Sequence, residues 1–271
     1  MFNSLFKPQP LLPEEAITWL FDGFAWALKS FGTDVFYKET ILVEPSNKCF
    51  PGQGDSVQEM AELIVNQVKH FAGLEYLPLQ VINHHEFEQA PTQLLDMRQV
   101  MTELEQGNRS ELALFFEPQQ VANPNAMIAN YAHGLAHHLG MLTQEPAPCD
   151  EEQWPHMTEL LAVYLGFGIM FVNTAIPERI TCGSCRNPAM DRKGALDEME
   201  VIYALAIFCI LKEIPAKQAA SHIKSHLRPL LKKAIKDVKQ RSEAIARLKA
   251  IDSSTQLRGK QATERWQQAL E

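Results

Sequence analysis

The sequence predicts a predominantly helical α+β fold, with a small N-terminal sheet and a C-terminal helical bundle, and three observations predict it. Short apolar or β-branched runs bounded by turn residues occur at residues 40–43, 79–82 and 112–116, all in the first half of the chain. From residue 125 onward, apolar side chains recur at helical spacing. Two later runs, residues 160–172 and 201–211, are apolar all round, as in helices that sit in the middle of a globular core. The chain has 271 residues, 46% of them apolar and 21% charged, so it can bury a sizeable core. Disorder, collagen and a disulfide-stapled miniprotein are excluded.

Each element has a local signal. Pro13 followed by Glu14 and Glu15 opens a helix, with acids near the positive end of its dipole, and Ile17, Leu20, Phe21, Phe24 and Leu28 form its apolar stripe. Residues 40–43 read as a strand and residues 45–54, with Pro51 and Gly52, as a loop. Ser56 and Glu59 have the spacing of a capping box; Met60, Leu63, Ile64, Val68 and Phe71 then continue a helix until Gly73. Residues 79–82 read as a second strand, residues 94–105 as a short helix, and residues 112–116 as a third strand ended by Pro118. Loops near residues 143–155 and 177–193 interrupt the helical second half. Residues 1–221 are expected to form one α+β domain, and residues 222–271 a basic helical extension packed on or beside it.

The formal charge of −8 argues against a protein that wraps nucleic acid over its surface. That charge is unevenly spread. Residues 222–250 hold nine basic side chains against Asp237 and Glu243, a net +7, which leaves −15 on the rest. This stretch reads as a solvated helix end or as a face docked on an acidic surface of this protein or another. It lacks the interleaved aromatic side chains that stack on bases, so no nucleic acid is expected. Five unevenly spaced cysteines do not make a secreted framework, and the opening residues do not read as a signal peptide, so a cytoplasmic location is expected. The run at 160–172 falls short of the roughly 20 residues that span a bilayer, so no membrane segment is expected.

The informative chemistry lies at residues 127–139. His133 and His137 are four apart on a helix, so their imidazoles share one face and can converge on one ion. Two readings stand at this point: a metal pair, or core histidines satisfied by hydrogen bonds. Unpaired imidazoles in so apolar a helix are expensive to bury, whereas His222 and His226, at the same spacing on a basic stretch without a neighbouring acid, read as solvated surface. A third ligand must come from elsewhere, and Glu159, 22 residues beyond His137, is a carboxylate in an apolar helix without an obvious partner. His156, one turn before it, is a weaker candidate as a fourth ligand or as a donor to an acid. His84 and His85 read as a surface turn. Cys182 and Cys185 form one CxxC with no second pair at zinc-knuckle spacing.

The stretch HGLAH, residues 133–137, resembles a degenerate HExxH motif of zincin metallopeptidases of the gluzincin type, whose third ligand is an acid on a later helix. More closely, the chain is similar to a group of uncharacterised bacterial proteins that look zincin-like. The matching pieces are Cys49 to Gly52, the His133 to His138 helix, Thr158 to Gly168, and Leu196 to Ala206. The resemblance implies Zn2+ held by His133, His137 and Glu159, and a substrate-side edge strand at residues 112–116. It also implies a lost function: Gly134 stands where such enzymes carry the glutamate that takes a proton from metal-bound water. General acid–base catalysis is worth about 10² to 10⁴ in rate. Glu151, Glu152 and Tyr203 are the weak candidates left for catalysis. The expectation is a metal-binding pseudo-peptidase or altered hydrolase; the alternative is a binding or regulatory protein, with a peptide or protein partner, in which the histidine helix is structural.

Overall fold

In the computed structural model, residues 11–75, 77–89, 94–143, 145–175, 192 and 194–252 are described. Cys182 and Cys185 lie outside the described residues. The architecture is mostly helical with a small parallel sheet.

Helix α1 (Glu14–Phe31) buries Ile17, Leu20, Phe21, Phe24 and Leu28, the stripe expected from sequence, and ends at Gly32, whose φ of 92° suits glycine. Helix α2 (Val57–Ala72) starts where Ser56 Oγ accepts the Glu59 amide at 3.1 Å. The return bond of the capping box is displaced by one residue: Glu59 accepts from the Asp55 amide at 2.8 Å. Gly73, left-handed at φ 68°, terminates it.

Strands β1 (Leu79–Asn83) and β2 (Leu112–Phe116) pair in parallel, Leu79 opposite Leu112 through Asn83 opposite Phe116. Parallel strands need a crossover, and α3 (His84–Gln89) and α4 (Met97–Glu105) lie along it. On β2, Leu112, Leu114 and Phe116 are buried while Ala113 and Phe115 are half-buried, the alternation of a strand with one face on a core.

The expected strand at residues 40–43 is not formed. Its β-branched residues are extended at Thr40, but the Val43 amide donates to the carbonyl of Gly166 at 3.0 Å, in a kinked helix rather than a sheet. Gly166 has φ 102°, and a Cβ there would stand 2.1 Å from the Ile41 carbonyl oxygen. The segment therefore fills a notch that only glycine provides.

Helix α5 (Pro124–Met141) packs on α6 (Trp154–Ala162) and on α7 (Gly168–Thr174), which a π-helical turn at Val163–Phe167 joins. The stretch Trp154–Thr174 is long and apolar enough to cross a membrane, yet 94% of its most apolar window is buried inside the fold. Helix α8 (Glu198–Leu211) is buried on nearly every side and begins with a full capping box between Asp197 and Glu200, at 2.7 and 3.0 Å.

Helix α9 (Ala216–Ser221) ends at His222, and a 3-10 turn at Ser225–Leu227 follows. His222 and His226 are therefore not on one basic helix. Nor is His222 free of acids, because it lies 3.3 Å from Glu44. Helix α10 (Arg228–Gln240) lays Leu231, Ala234, Ile235 and Val238 on α8. Helix α11 (Ser242–Lys249) follows directly. Some of the basic surplus is answered within the chain: Arg241 pairs with Glu14 and Asp237, Arg247 with Asp22 at 2.8 Å, and Lys249 with Glu213 at 3.4 Å.

Candidate functional site

Strand β2 and helix α5 enclose an open cleft of about 370 Å³. Its lining includes Ala113 to Glu117 on one side, and Asn130, His133, Gly134, His137 and His138 on the other. Helical spacing aligns His133 with His137, and the next residue, His138, reaches the same cleft, its ring centre 5.6 Å from that of His137. His84 closes a further side. It does not belong to a surface turn: it begins α3, lies 3.6 Å from Glu117 and rests edge-on against Phe115.

Burial makes these imidazoles poor bases. His133 is pushed down to about 4, chiefly by desolvation; the nearby Glu159 opposes the shift, while Arg192 and His137 add to it. His138 is also pushed down to about 4 by desolvation and by His137, against the Ala113 carbonyl and Asp96. Desolvation lowers His137 as well. At neutral pH His133, His137 and His138 are therefore uncharged, each with one N–H and one lone pair.

Close packing fixes Gly134. A Cβ at this position would lie 2.4 Å from Leu114 Cδ2, so α5 and β2 approach each other through the missing side chain. The glycine at the second position of the HGLAH stretch is thus a packing residue of this fold.

The three residues proposed as ligands do not present free donor atoms together. Trp154 donates its indole N–H to His137 Nδ1 at 3.0 Å. An indole nitrogen is a donor only, so Nδ1 supplies the lone pair and the neutral ring keeps its proton on Nε2. Ligation through Nε2 would set two N–H groups face to face. Glu159, 1% exposed, is also engaged: Arg192 Nη1 pairs with Oε1, which further accepts the Ala195 amide at 2.8 Å, and Oε2 accepts the Leu196 amide at 3.0 Å. His133 differs, since its Nδ1 is buried without a hydrogen-bond partner. Among the described residues no group of three His, Cys, Asp or Glu side chains is placed to hold a metal. The residues fit a zinc centre only if Arg192 and Trp154 move.

The remaining candidates are dispersed. His156 is half-buried on α6, near Glu200, with its Nδ1 buried and unpartnered. Glu151 and Glu152 are exposed in the turn before α6 and do not line the cleft. Tyr203 is fully buried on α8 and donates a hydrogen bond from its hydroxyl to Asp237, away from the cleft.

No family model, curated protein or solved structure matches this chain. The site must therefore be read from its own chemistry. Two residues it depends on, Arg192 and Trp154, were not singled out by sequence. For Arg192 a signal existed: a carboxylate in an apolar helix requires a cation, and the 177–193 loop supplies several. For Trp154 there was none, because its partner lies 17 residues away across a loop.

Proposed function

We propose that this chain is a non-catalytic binding protein on a zincin-like plan, whose cleft between β2 and α5 receives an extended peptide segment of a partner. The observation that carries this reading is the cleft itself: a strand edge set opposite a row of uncharged imidazoles. The two-stranded sheet leaves the outer edge of β2 without a strand partner among the described residues, and an added strand would find its backbone groups there, apart from the Ala113 carbonyl that His138 engages. Ala113 and Phe115 offer apolar contact, and the histidines offer hydrogen bonds that accept either donors or acceptors. Turnover is not part of the proposal, because Gly134 supplies no base and Glu151, Glu152 and Tyr203 do not reach the cleft. Burial of Trp154–Thr174 within the fold argues against a membrane-spanning role for that stretch.

A metal-binding reading is favoured by one specific observation, the orphaned Nδ1 of His133 beside Glu159. Two measurements on the purified protein separate the readings. Backbone amide NMR shifts during titration with a mixture of unstructured decapeptides are expected to move at residues 112–117 and 130–138, with no peptide hydrolysis in zinc or in chelator. Zinc-dependent, chelator-sensitive hydrolysis, or shifts elsewhere only, contradicts the binding reading.

A further inference from the structure

We infer that the Arg192 guanidinium is the resident cation of Glu159, so that Arg192, with the Ala195 and Leu196 amides, and a divalent ion are mutually exclusive occupants of one carboxylate. The inference bears on the metal-binding reading above by naming what excludes the ion, and it rests on Glu159 being the carboxylate a metal would use.

Glu159 sits in α6 among Thr158, Leu160 and Leu161, all buried, and an ionised carboxylate there needs compensation. An ionised carboxylate offers about four acceptor positions. Three are taken, by Arg192 Nη1 and by the Ala195 and Leu196 amides, and all three donors come from one short segment. Arg192 is held to this task. It is 3% exposed, its Nε donates to Thr174 Oγ1 at 3.2 Å, and its guanidinium lies 4.4 Å from the ring centre of Phe171. The planar fork is thus fixed by a hydroxyl, an aromatic face and the carboxylate, and Nη2 alone has no partner. A guanidinium and a divalent ion on the same oxygen would repel each other in a poorly solvated site. Binding of the ion must therefore displace the arginine.

Displacement has a structural consequence. Leu196 immediately precedes Asp197, whose side chain caps the central helix α8 through Glu200. Release of the Ala195 and Leu196 amides would loosen the entry to that helix.

The test is calorimetric titration of zinc chloride into the wild-type chain, Arg192→Ala, and Arg192→Ala combined with Glu159→Gln. The single variant is expected to take one zinc roughly a hundredfold more tightly than wild type, the scale set by a broken buried ion pair, and the double variant is expected to lose it. Equal affinity of wild type and Arg192→Ala overturns the exclusion while leaving a metal site standing. A folded Arg192→Ala chain that takes no zinc overturns the use of Glu159 by a metal altogether. Should that variant not fold, amide hydrogen exchange of the wild-type chain in millimolar zinc decides. Once calorimetry shows the wild-type chain occupied by zinc, faster exchange at Ala195 and Leu196 supports the inference, and unchanged exchange overturns it.

Discussion

Two polar regions meet at His133, and they solve the burial of polar groups in opposite ways. Around Glu159 the groups are charged, almost wholly buried and paired: carboxylate, guanidinium and two backbone amides close on one another. On the α5 face the groups are neutral, half-buried and only partly paired, and they open on a cleft. A charge that is fully satisfied fixes structure, because moving either partner leaves the other stranded. Uncharged rings that retain unused donors and acceptors cost less to keep open and are available to a ligand. On the proposed reading, the difference assigns rigidity to α6 and the start of α8, and recognition to α5 and β2.

The contrast can be broken most forcefully at its charged side. Arg192→Ala strands a buried carboxylate and is expected to cost about 3–5 kcal/mol in urea unfolding, whereas Glu159→Leu with Arg192→Met should cost much less, since an apolar pair of similar volume removes both charges. The neutral side is probed next, by acid. His133 and His138 in the fold lie near 4, below the 6.5 of a free imidazole, so between those values the unfolded chain binds protons that the folded chain refuses. Stability is complete above about pH 6.5 and falls as pH drops toward 4, by roughly 1–2 kcal/mol for each ring after allowance for the water that reaches it. Thermal unfolding of wild type and His138→Gln across that window checks this, and the variant should show the shallower decline.

Gly134→Glu sharpens the comparison further. The new side chain must push Leu114 aside, at an expected cost of about 1–3 kcal/mol in thermal unfolding, and no peptidase activity should emerge, because Glu159 stays closed by Arg192. Restored zinc-dependent cleavage would dissolve the distinction between the two regions. The smallest effect belongs to Trp154→Phe, which removes the hydrogen bond to His137 for about 1 kcal/mol and frees Nδ1 to carry the proton. Imidazole nitrogen NMR shifts should report the change of tautomer.

Much of the scaffold was legible because its signals are local. The stripe of α1, the Ser56 start and Gly73 stop of α2, and the run from Leu112 to Phe116 each depend on neighbours within a few residues. The segment at 40–43 misled for the same reason. Its composition suits a strand, but the partner that decides its role is the kink at Gly166. At the site, the sequence brought forward His133, His137 and Glu159 and noticed that the carboxylate needed a partner. It did not disclose that Arg192 is that partner, 33 residues on, or that Leu114 packs into the space above Gly134. Both are contacts between distant segments, which spacing along a chain does not encode.

The most direct measurement is the zinc content of the wild-type chain after saturation with zinc and dialysis into metal-free buffer, with thermal unfolding before and after excess chelator. A site closed by its own arginine predicts far less than one zinc per chain and an unfolding temperature indifferent to chelator. One retained zinc per chain, with an unfolding temperature that falls when it is stripped, would contradict the account.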